Sequence, residues 1–418
     1  MRAEWASTDA LVDAEKNAVA LSLDVDSGPL FRTGELRIEG LKVQDEETVR
    51  NLAAFDPGTP ATQKLLLDYQ ERLQRANLFS TATVQIDPQA PDPSAAPVLV
   101  NLSEQQLQEA TFGVGVEADL GPRITVEHIH RRVFGWSATS RNQLELSKVR
   151  RAWDFEVSTH TLPDLWRNLV GGSFERLESS TDLVSSARLR LGRAQETGRI
   201  DRLIFVEGER SLRSPDTGGT ERSDAISAHY HGIWREVDDV LLPTDGIVIS
   251  AQGGGGQARS DPGGSGPFGR AYLRLVGFKP IGKWYGTARV EFGQVFARED
   301  VTPPDTMRFR AGGESSVRGY EYRSLAPKAA DGTITSGKVL FTASVEAARP
   351  ILERLPELWG AVFVDAGRAA NHWSDLKPAV GAGVGVRYRS PIGPVSVDLA
   401  YGEEVRKFRL HLSVGVTF

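Results

Sequence analysis

From about residue 110 to its end, the chain alternates apolar and polar positions with a period of two. In Lys338–Ala348, Val339, Phe341, Ala343, Val345 and Ala347 fall on one side, and Leu340, Thr342, Ser344 and Glu346 on the other. In Phe408–Phe418, Leu410, Leu412, Val414, Val416 and Phe418 oppose Arg409, His411, Ser413, Gly415 and Thr417. Val395, Val397, Leu399 and Tyr401 likewise oppose Ser396 and Asp398. This is the period of a β-strand, whose side chains point to opposite faces in turn. The clearest segments are Phe112–Asp119, Arg141–Val149, Ala152–Thr159, Leu183–Ala194, Ala225–Glu236, Gly246–Gly256, Arg270–Phe278, Trp284–Phe296, Lys338–Ala348, Leu358–Ala366, Val380–Arg389, Pro394–Tyr401 and Phe408–Phe418, with Gly, Pro, Asp and Ser turns between them. At roughly 19 residues per strand and connection, this region holds about sixteen strands. A soluble sandwich also alternates. Alternation sustained over such a length, with Arg and Asp kept to one face, instead predicts a transmembrane antiparallel β-barrel with an apolar exterior and a charged lumen.

Upstream the period changes. Residues 34–105 read as a small α+β unit of order βααββ. Leu36 and Ile38 share one face of a short strand. Asp45, Glu46 and Glu47 open a helix where the helix dipole favours negative charge. A second helix, capped by Thr62, carries Leu66, Tyr69, Leu73 and Ala76 at helical spacing. Two further strands, Ala82–Ile86 and Val98–Leu102, flank a Pro-rich turn. Residues 1–33 read as the end of a preceding domain, with a strand-like run at Val19, Leu21, Leu23 and Val25 and a turn at Ser27-Gly28-Pro29. Met1-Arg2-Ala3-Glu4-Trp5 lacks the apolar core and cleavage site of a signal peptide. The sequence is therefore expected to be truncated, with a signal and further residues preceding it.

Composition sharpens the barrel reading. The 418 residues carry a formal net charge of −6, which marks no polyanion binder, so no nucleic-acid partner is expected. With no cysteine, zinc-thiolate, iron–sulfur, disulfide and Cys-nucleophile chemistry are excluded. Mean hydropathy is −0.28, and no stretch approaches the ~18 apolar residues of a membrane helix. A barrel averages its lipid and lumen faces, so low hydropathy does not argue against a membrane. Glycines (42), Trp (8), Tyr (8) and Phe (17) suit tight turns and aromatic girdles. Trp136, Trp166, Trp234, Trp284 and Trp359 fall near segment ends, where the bilayer interfaces are expected; ordinary packing is the alternative.

Four motifs carry a resemblance. Gly312-Gly313-Glu314-Ser315-Ser316-Val317-Arg318-Gly319-Tyr320 resembles the loop signature of outer-membrane assembly and secretion barrels. Val362-Phe363-Val364-Asp365-Ala366-Gly367 is similar to a second signature, and Gly383–Pro394 followed by Val397-Asp398-Leu399-Ala400 to a third. Phe418, ending an alternating strand, resembles the C-terminal signal of barrel proteins. The βααββ unit, with Gly58-Thr59-Pro60 and Leu78-Phe79-Ser80, looks like a POTRA domain. In this order and spacing the motifs resemble the BamA/TamA assembly-barrel family and the related two-partner secretion transporters, with Ser27–Arg32 most like the TamA branch.

The resemblance implies a barrel over residues 106–418, whose loop 297–337 folds inward. It implies that Val317, Arg318, Gly319 and Tyr320 form the loop motif, and that Arg318 meets Asp365 on the barrel wall. An Arg fork matches a carboxylate bidentately. Phe363 shares the parity of Asp365, so a cation–π contact is within reach, and Glu346 also points to the lumen. On the residues alone, a solvated loop charge accounts for Arg318 equally well. The family reading places a lateral seam at the first and last strands, marked by Phe112, Gly113, Gly115, Gly415 and Phe418. Gly113 and Gly115 weaken their strand there, or serve as a turn or a close-packed wall. An opened edge then pairs with an incoming strand. The implied setting is a bacterial outer membrane with the POTRA domain in the periplasm. The implied partners are unfolded outer-membrane clients, membrane lipid and a periplasm-spanning TamB-like protein.

Other chemistry finds little footing. His128/His130 and His229/His231 each place two imidazoles on one strand face, but no third metal ligand suggests itself and lumen-facing polar positions account for them. Gly381-Ala382-Gly383-Val384-Gly385 mimics a dinucleotide loop but opens no helix. There is no Gly-x-Ser-x-Gly elbow. A barrel enzyme is the remoter alternative; it would need a Ser/His or carboxylate cluster at the rim, which the sequence does not offer, so no enzyme, cofactor or metal is expected. A secretion transporter exporting one dedicated substrate is the competing function, and a passive pore needs neither the loop motif nor a POTRA domain.

Overall fold

The computed structural model describes residues 4–13, 18–26, 29–117, 121–179, 181–216, 218–239, 243–390 and 393–414. They form two compact units.

The first unit contains an antiparallel hairpin, β1 (Glu4–Asp13) and β2 (Ala18–Asp26). It is followed by β3 (Thr33–Glu39), α1 (Glu46–Ala53), α2 (Gln63–Arg75), β4 (Phe79–Ile86) and β5 (Ala96–Glu104). The order βααββ is the one the periodicity predicts. The sheet runs β3-β5-β4, with β5 parallel to β3 and antiparallel to β4. α1 stops at Ala54, which adopts a left-handed φ of 50°. Arg72 of α2 donates to the carbonyls of Leu52 and Ala53 at 2.7 and 2.5 Å, satisfying groups that a helix end leaves open. The Thr62 hydroxyl accepts from the Leu65 amide at 3.1 Å, so α2 is capped as expected. Between helices and sheet, Val49, Leu52, Tyr69, Leu73, Phe79, Val98 and Val100 form the core. The fully buried Tyr69 donates its hydroxyl to Val49 O at 2.9 Å. Glu104 accepts from the amides of Lys42, Val43 and Gln44. Burial would raise its pKa, but these three donors hold it below the ordinary carboxylate value.

The second unit is a sixteen-stranded antiparallel sheet curled into a nearly closed barrel. Its strands are β6 (Gln108–Glu117), β7 (Gly121–His130), β8 (Ala138–Ser147), β9 (Arg150–Thr159), β10 (Trp166–Glu178), β11 (Asp182–Glu196), β12 (Ile200–Pro215) and β13 (Glu221–Val237). They continue with β14 (Gly246–Asp261), β15 (Ser265–Ile281), β16 (Trp284–Ala297), β17 (Val339–Leu352), β18 (Leu355–Ala370), β19 (Ala379–Ser390), β20 (Gly393–Gly402) and β21 (Lys407–Val414). Each strand pairs with its chain neighbour. Thirteen of these strands coincide with an alternating segment of the sequence; β7, β10 and β12 do not.

Exposure inverts the soluble rule. In β12, Phe205, Glu207, Glu209, Ser211 and Arg213 are buried while Ile204 and Val206 stand exposed. In β18, Phe363 and Asp365 are buried while Val362 and Val364 are exposed. Apolar side chains outside and charges inside are stable only where the exterior meets lipid. Among the described residues, no helix is long and apolar enough to cross a membrane; the strands are the crossing elements. Trp166 and Trp284 begin their strands, as girdle residues would. Trp359 departs from that expectation. It is 6% exposed, packs on Tyr285 and donates to Pro356 O at 2.8 Å, so it is a packing aromatic.

Candidate functional site

Between β16 and β17 the chain runs as a loop that turns into the barrel and touches walls on opposite sides of it. Short bridges give the loop its own shape, Phe309 with Gly337, Ala311 with Leu325 and Lys328 with Ile334. Val317, Tyr320, Phe309 and Leu325 are buried against Val295 of β16, Leu340 of β17, Ala369 of β18 and Ala379 of β19. Burying such side chains stabilises the loop by about 1.5–3 kcal/mol each. A second apolar cluster joins Val301 and Met307 of the loop to Ala225, Ala258 and Phe268 on β13, β14 and β15.

At the loop's tip, Arg318 enters a buried ionic cluster. Its Nε lies 2.7 Å from Asp365 Oδ2 and its Nη2 lies 3.0 Å from Oδ1, a two-point clamp. The Arg318 amide and the Ser344 hydroxyl also donate to Asp365, at 3.0 and 2.7 Å. The carboxylate thus accepts four hydrogen bonds, about its full capacity. Arg318 Nη1 reaches Glu346 and Asp398, each at 2.9 Å. The guanidinium carbon sits 3.3 Å from the Phe363 ring centre, a cation–π contact. Arg387 of β19 joins the same two acids, at 2.7 Å to Glu346 and 2.5 Å to Asp398. Burial alone would lower the Arg318 pKa, but Asp365, Glu346 and Asp398 raise it above its ordinary value.

The neighbours of Arg318 tie the loop to the last strands. The Gly319 amide donates to His411 Nε2 of β21 at 3.0 Å. Tyr320 donates its hydroxyl to Val380 O at 2.8 Å and accepts from the Glu404 amide. Glu321 pairs with Arg409 of β21. Gly319 has a φ of 95°, and a Cβ there would lie 2.8 Å from Gly402 N, so the position demands glycine twice over. A Cβ on Gly381 would lie 1.9 Å from Arg318 O. The glycine run that mimics a dinucleotide loop therefore gives the loop backbone room against the wall.

A second ionic anchor sits toward the loop's start. Asp305, 2% exposed, meets Arg310 at 3.2 Å, Arg323 at 2.7 Å and the Ser336 hydroxyl at 2.6 Å. Arg310 also reaches Asp182 of β11 at 2.6 Å, where Arg213 of β12 arrives at 2.7 Å. Thr306 hydrogen-bonds Glu209 of β12. Burial would raise the Asp305 pKa, but Arg323, Arg310, Arg308 and Ser336 hold it well below the carboxylate range. Because the folded value is depressed, the stabilisation it contributes is complete above the unfolded value of about 3.9 and is lost only as pH falls toward the lower folded value. Asp305→Asn leaves Arg308 and Arg323 converged without their acid and Arg310 with Asp182 alone. We expect a loss of about 3 kcal/mol in loop anchoring. Faster protease cleavage within 298–338 and a lower temperature of barrel unfolding on semi-native gels measure it.

The residues proposed for a seam divide in two. Phe112, Gly113 and Gly115 lie on β6; Gly415 and Phe418 lie outside the described residues. Phe112 and Val114 point outward, and Val114 is 88% exposed. Gly113 and Gly115 face Thr125 and Arg123 of β7, and a Cβ on Gly113 would come within 2.4 Å of Thr125 Oγ1. β21 lies beside β6, yet no hydrogen-bonded ladder joins them among the described residues.

The imidazole pairs separate as well. His229 is buried in the lumen, stacked on Phe205 and bonded to Ser227 Oγ at 2.9 Å, while His231 meets Ser250. His128 and His130 have the parity of the exposed Ile124, opposite to the buried Ile129, so lumen-facing polarity does not explain that pair. Among the described residues, no group of three His, Cys, Asp or Glu is placed to hold a metal ion. Asp398, His411 and Arg387 are within reach of sequence reasoning, because their strand parity faces the lumen. Asp182, Asp305, Arg310 and Arg213 are not, because loop and wall are far apart in sequence.

The model of the Omp85 superfamily domain matches residues 133–418. Among solved structures, the chain resembles BamA from Haemophilus ducreyi lacking POTRA domains 1-3, with a TM-score of 0.71, 16% identity and coverage of 100% of this chain and 90% of that one. CdiB from Acinetobacter baumannii matches with a TM-score of 0.60 and 14% identity over 97% of this chain and 76% of that one. CdiB from Escherichia coli gives 0.57 and 13% over 97% and 79%. The chloroplastic outer envelope protein 80 of Arabidopsis thaliana is 33% identical over 119 residues, 26% of this chain and 14% of that protein. The chain spans only a small part of that relative's length. With a lipid-facing sixteen-stranded barrel, an inward loop and a family match over more than half its residues, the chain belongs to the Omp85 superfamily and is an outer-membrane β-barrel protein.

Proposed function

We propose that the protein inserts and assembles outer-membrane and autotransporter proteins in a bacterial outer membrane, by opening the seam between β6 and β21. The observation that carries this reading is the seam itself: first and last strands adjoin without a ladder among the described residues. The lumen, meanwhile, is crossed by an anchored loop. An unladdered strand edge is a template for an incoming strand, and pairing with it needs no chemical energy. The fuller coverage and higher TM-score of the BamA match support assembly over export. On this reading the protein is not an enzyme and carries no cofactor. The βααββ unit is a POTRA domain in the periplasm, residues 1–33 end a preceding one, and the edge strand β4 takes up client or partner segments. Within the family the finer reading is a TamA-like member that works with a TamB-like partner.

The reading is tested with purified protein in phospholipid vesicles and an unfolded outer-membrane client. Folded client, seen by its altered gel mobility, should accumulate faster than in empty vesicles. Equal rates would remove the assembly role. The two CdiB matches keep two-partner secretion as a second reading. An exporter would carry its substrate through the lumen whether or not the seam opens.

A further inference from the structure

Along the outer face of β9 and β10, Arg151 stands directly opposite Arg176. Both are exposed, and among the described residues neither has a carboxylate or hydrogen-bond partner. Like charges facing each other across an antiparallel pair repel, so this arrangement costs stability as it stands. Lys148, exposed in the adjoining turn, adds a third cation. Glu178, two residues beyond Arg176 on the same face, does not pair with it. The inner face of the same strands is matched instead, with Arg150 at 2.9 Å from Glu145 and 2.6 Å from Glu175. So is the outer face further round the barrel, where Asp224 sits between Arg210 at 2.5 Å and Arg222 at 2.8 Å.

Two residue pairs further along the strands, on the same face, Trp153 faces Phe174 with their rings stacked 5.7 Å apart. They are 44% and 51% exposed and lie above Val157 and Val170 on the same face. Aromatic rings over an aliphatic row mark the boundary between acyl chains and headgroups. The arginines lie at headgroup depth, at the end of the barrel from which loop 298–338 enters.

We propose that Arg151, Arg176 and Lys148, with Trp153 and Phe174 beneath them, bind the phosphorylated sugar headgroup of an outer-leaflet glycolipid. This rests on the outer-membrane reading above. Each guanidinium clamps phosphate oxygens bidentately, which also removes the repulsion between them. The stacked rings pack against the first acyl carbons.

The test uses the full chain in phosphatidylcholine nanodiscs, titrated with diphosphorylated lipid A or with its dephosphorylated form. Native mass spectrometry reports binding. Wild-type protein should retain the diphosphorylated lipid with affinity roughly tenfold above Arg151→Gln/Arg176→Gln. Arg210→Gln/Arg222→Gln should bind as wild type. Inorganic phosphate in excess should not displace the lipid; displacement would mean a free-anion site and would overturn the proposal. Equal affinity in the Arg151/Arg176 variant, or equal binding of the dephosphorylated lipid, would also overturn it. Heat-modifiable mobility of each variant verifies folding. Wild-type protein that fails to enter nanodiscs would instead refute the membrane reading itself.

Discussion

Arg318→Ala should lower the stability of the folded barrel by about 3–5 kcal/mol and sharply reduce assembly of clients. Removing the guanidinium takes away both halves of the clamp on Asp365, which keeps only the Arg318 amide and Ser344. Glu346 and Asp398 retain Arg387, so the loss concentrates on one fully buried carboxylate. That carboxylate has no route to water, which is why the cost exceeds the ~1 kcal/mol of an exposed pair. Arg318→Lys should recover little. An ammonium cannot span two carboxylate oxygens in one plane while covering the Phe363 ring. The temperature at which the barrel unfolds on semi-native gels measures the first effect, and the client assay the second. The double change Arg318→Ala/Asp365→Ala should cost less than the sum of its parts, because the second removes the charge the first strands. A wild-type unfolding temperature in Arg318→Ala would sink the role given to the clamp.

The same cluster shows how much of the site is legible in the sequence. Strand parity alone turns Ser344, Glu346, Phe363 and Asp365 toward the lumen, because in a barrel one face must be polar. The same parity holds for Asp398 and His411, yet nothing in the sequence says that β17, β18 and β20 converge on one loop residue. Convergence depends on barrel curvature and on the loop's path, and both are set by contacts between residues far apart in the chain. The strands that the alternation misses have a local cause. In β10, Leu169 and Leu177 are buried inside while Val170 and Phe174 are exposed outside, so apolar residues occupy both faces and the alternation disappears. In β12, Phe205 points inward to stack on His229, and Arg210 points outward. Each breaks the pattern at the middle of the strand, although the count of about sixteen holds because it rests on length.

Locking the seam should abolish assembly altogether. β11 and β12 run 15 and 16 residues, fully paired. Separating them would expose a long row of backbone donors and acceptors, each costing several kcal/mol in lipid. Between β6 and β21, by contrast, no ladder forms among the described residues. β21 is instead held by β20 and by the loop, through Gly319 to His411 and Glu321 to Arg409. Parting it from β6 is therefore the least costly opening in the wall. The chain has no cysteine, so pairs introduced between positions 112–116 and 408–412 report on the seam without background. Pairs that fall within about 7 Å between Cα atoms will cross-link. The oxidised protein should lose client assembly and regain it on reduction, while each single-cysteine variant stays active. An exporter that works through its lumen would be indifferent to the bond. A cross-linked barrel that assembles clients at the wild-type rate would end the lateral mechanism, and with it the reason for reading the weak edge as the working part of the protein.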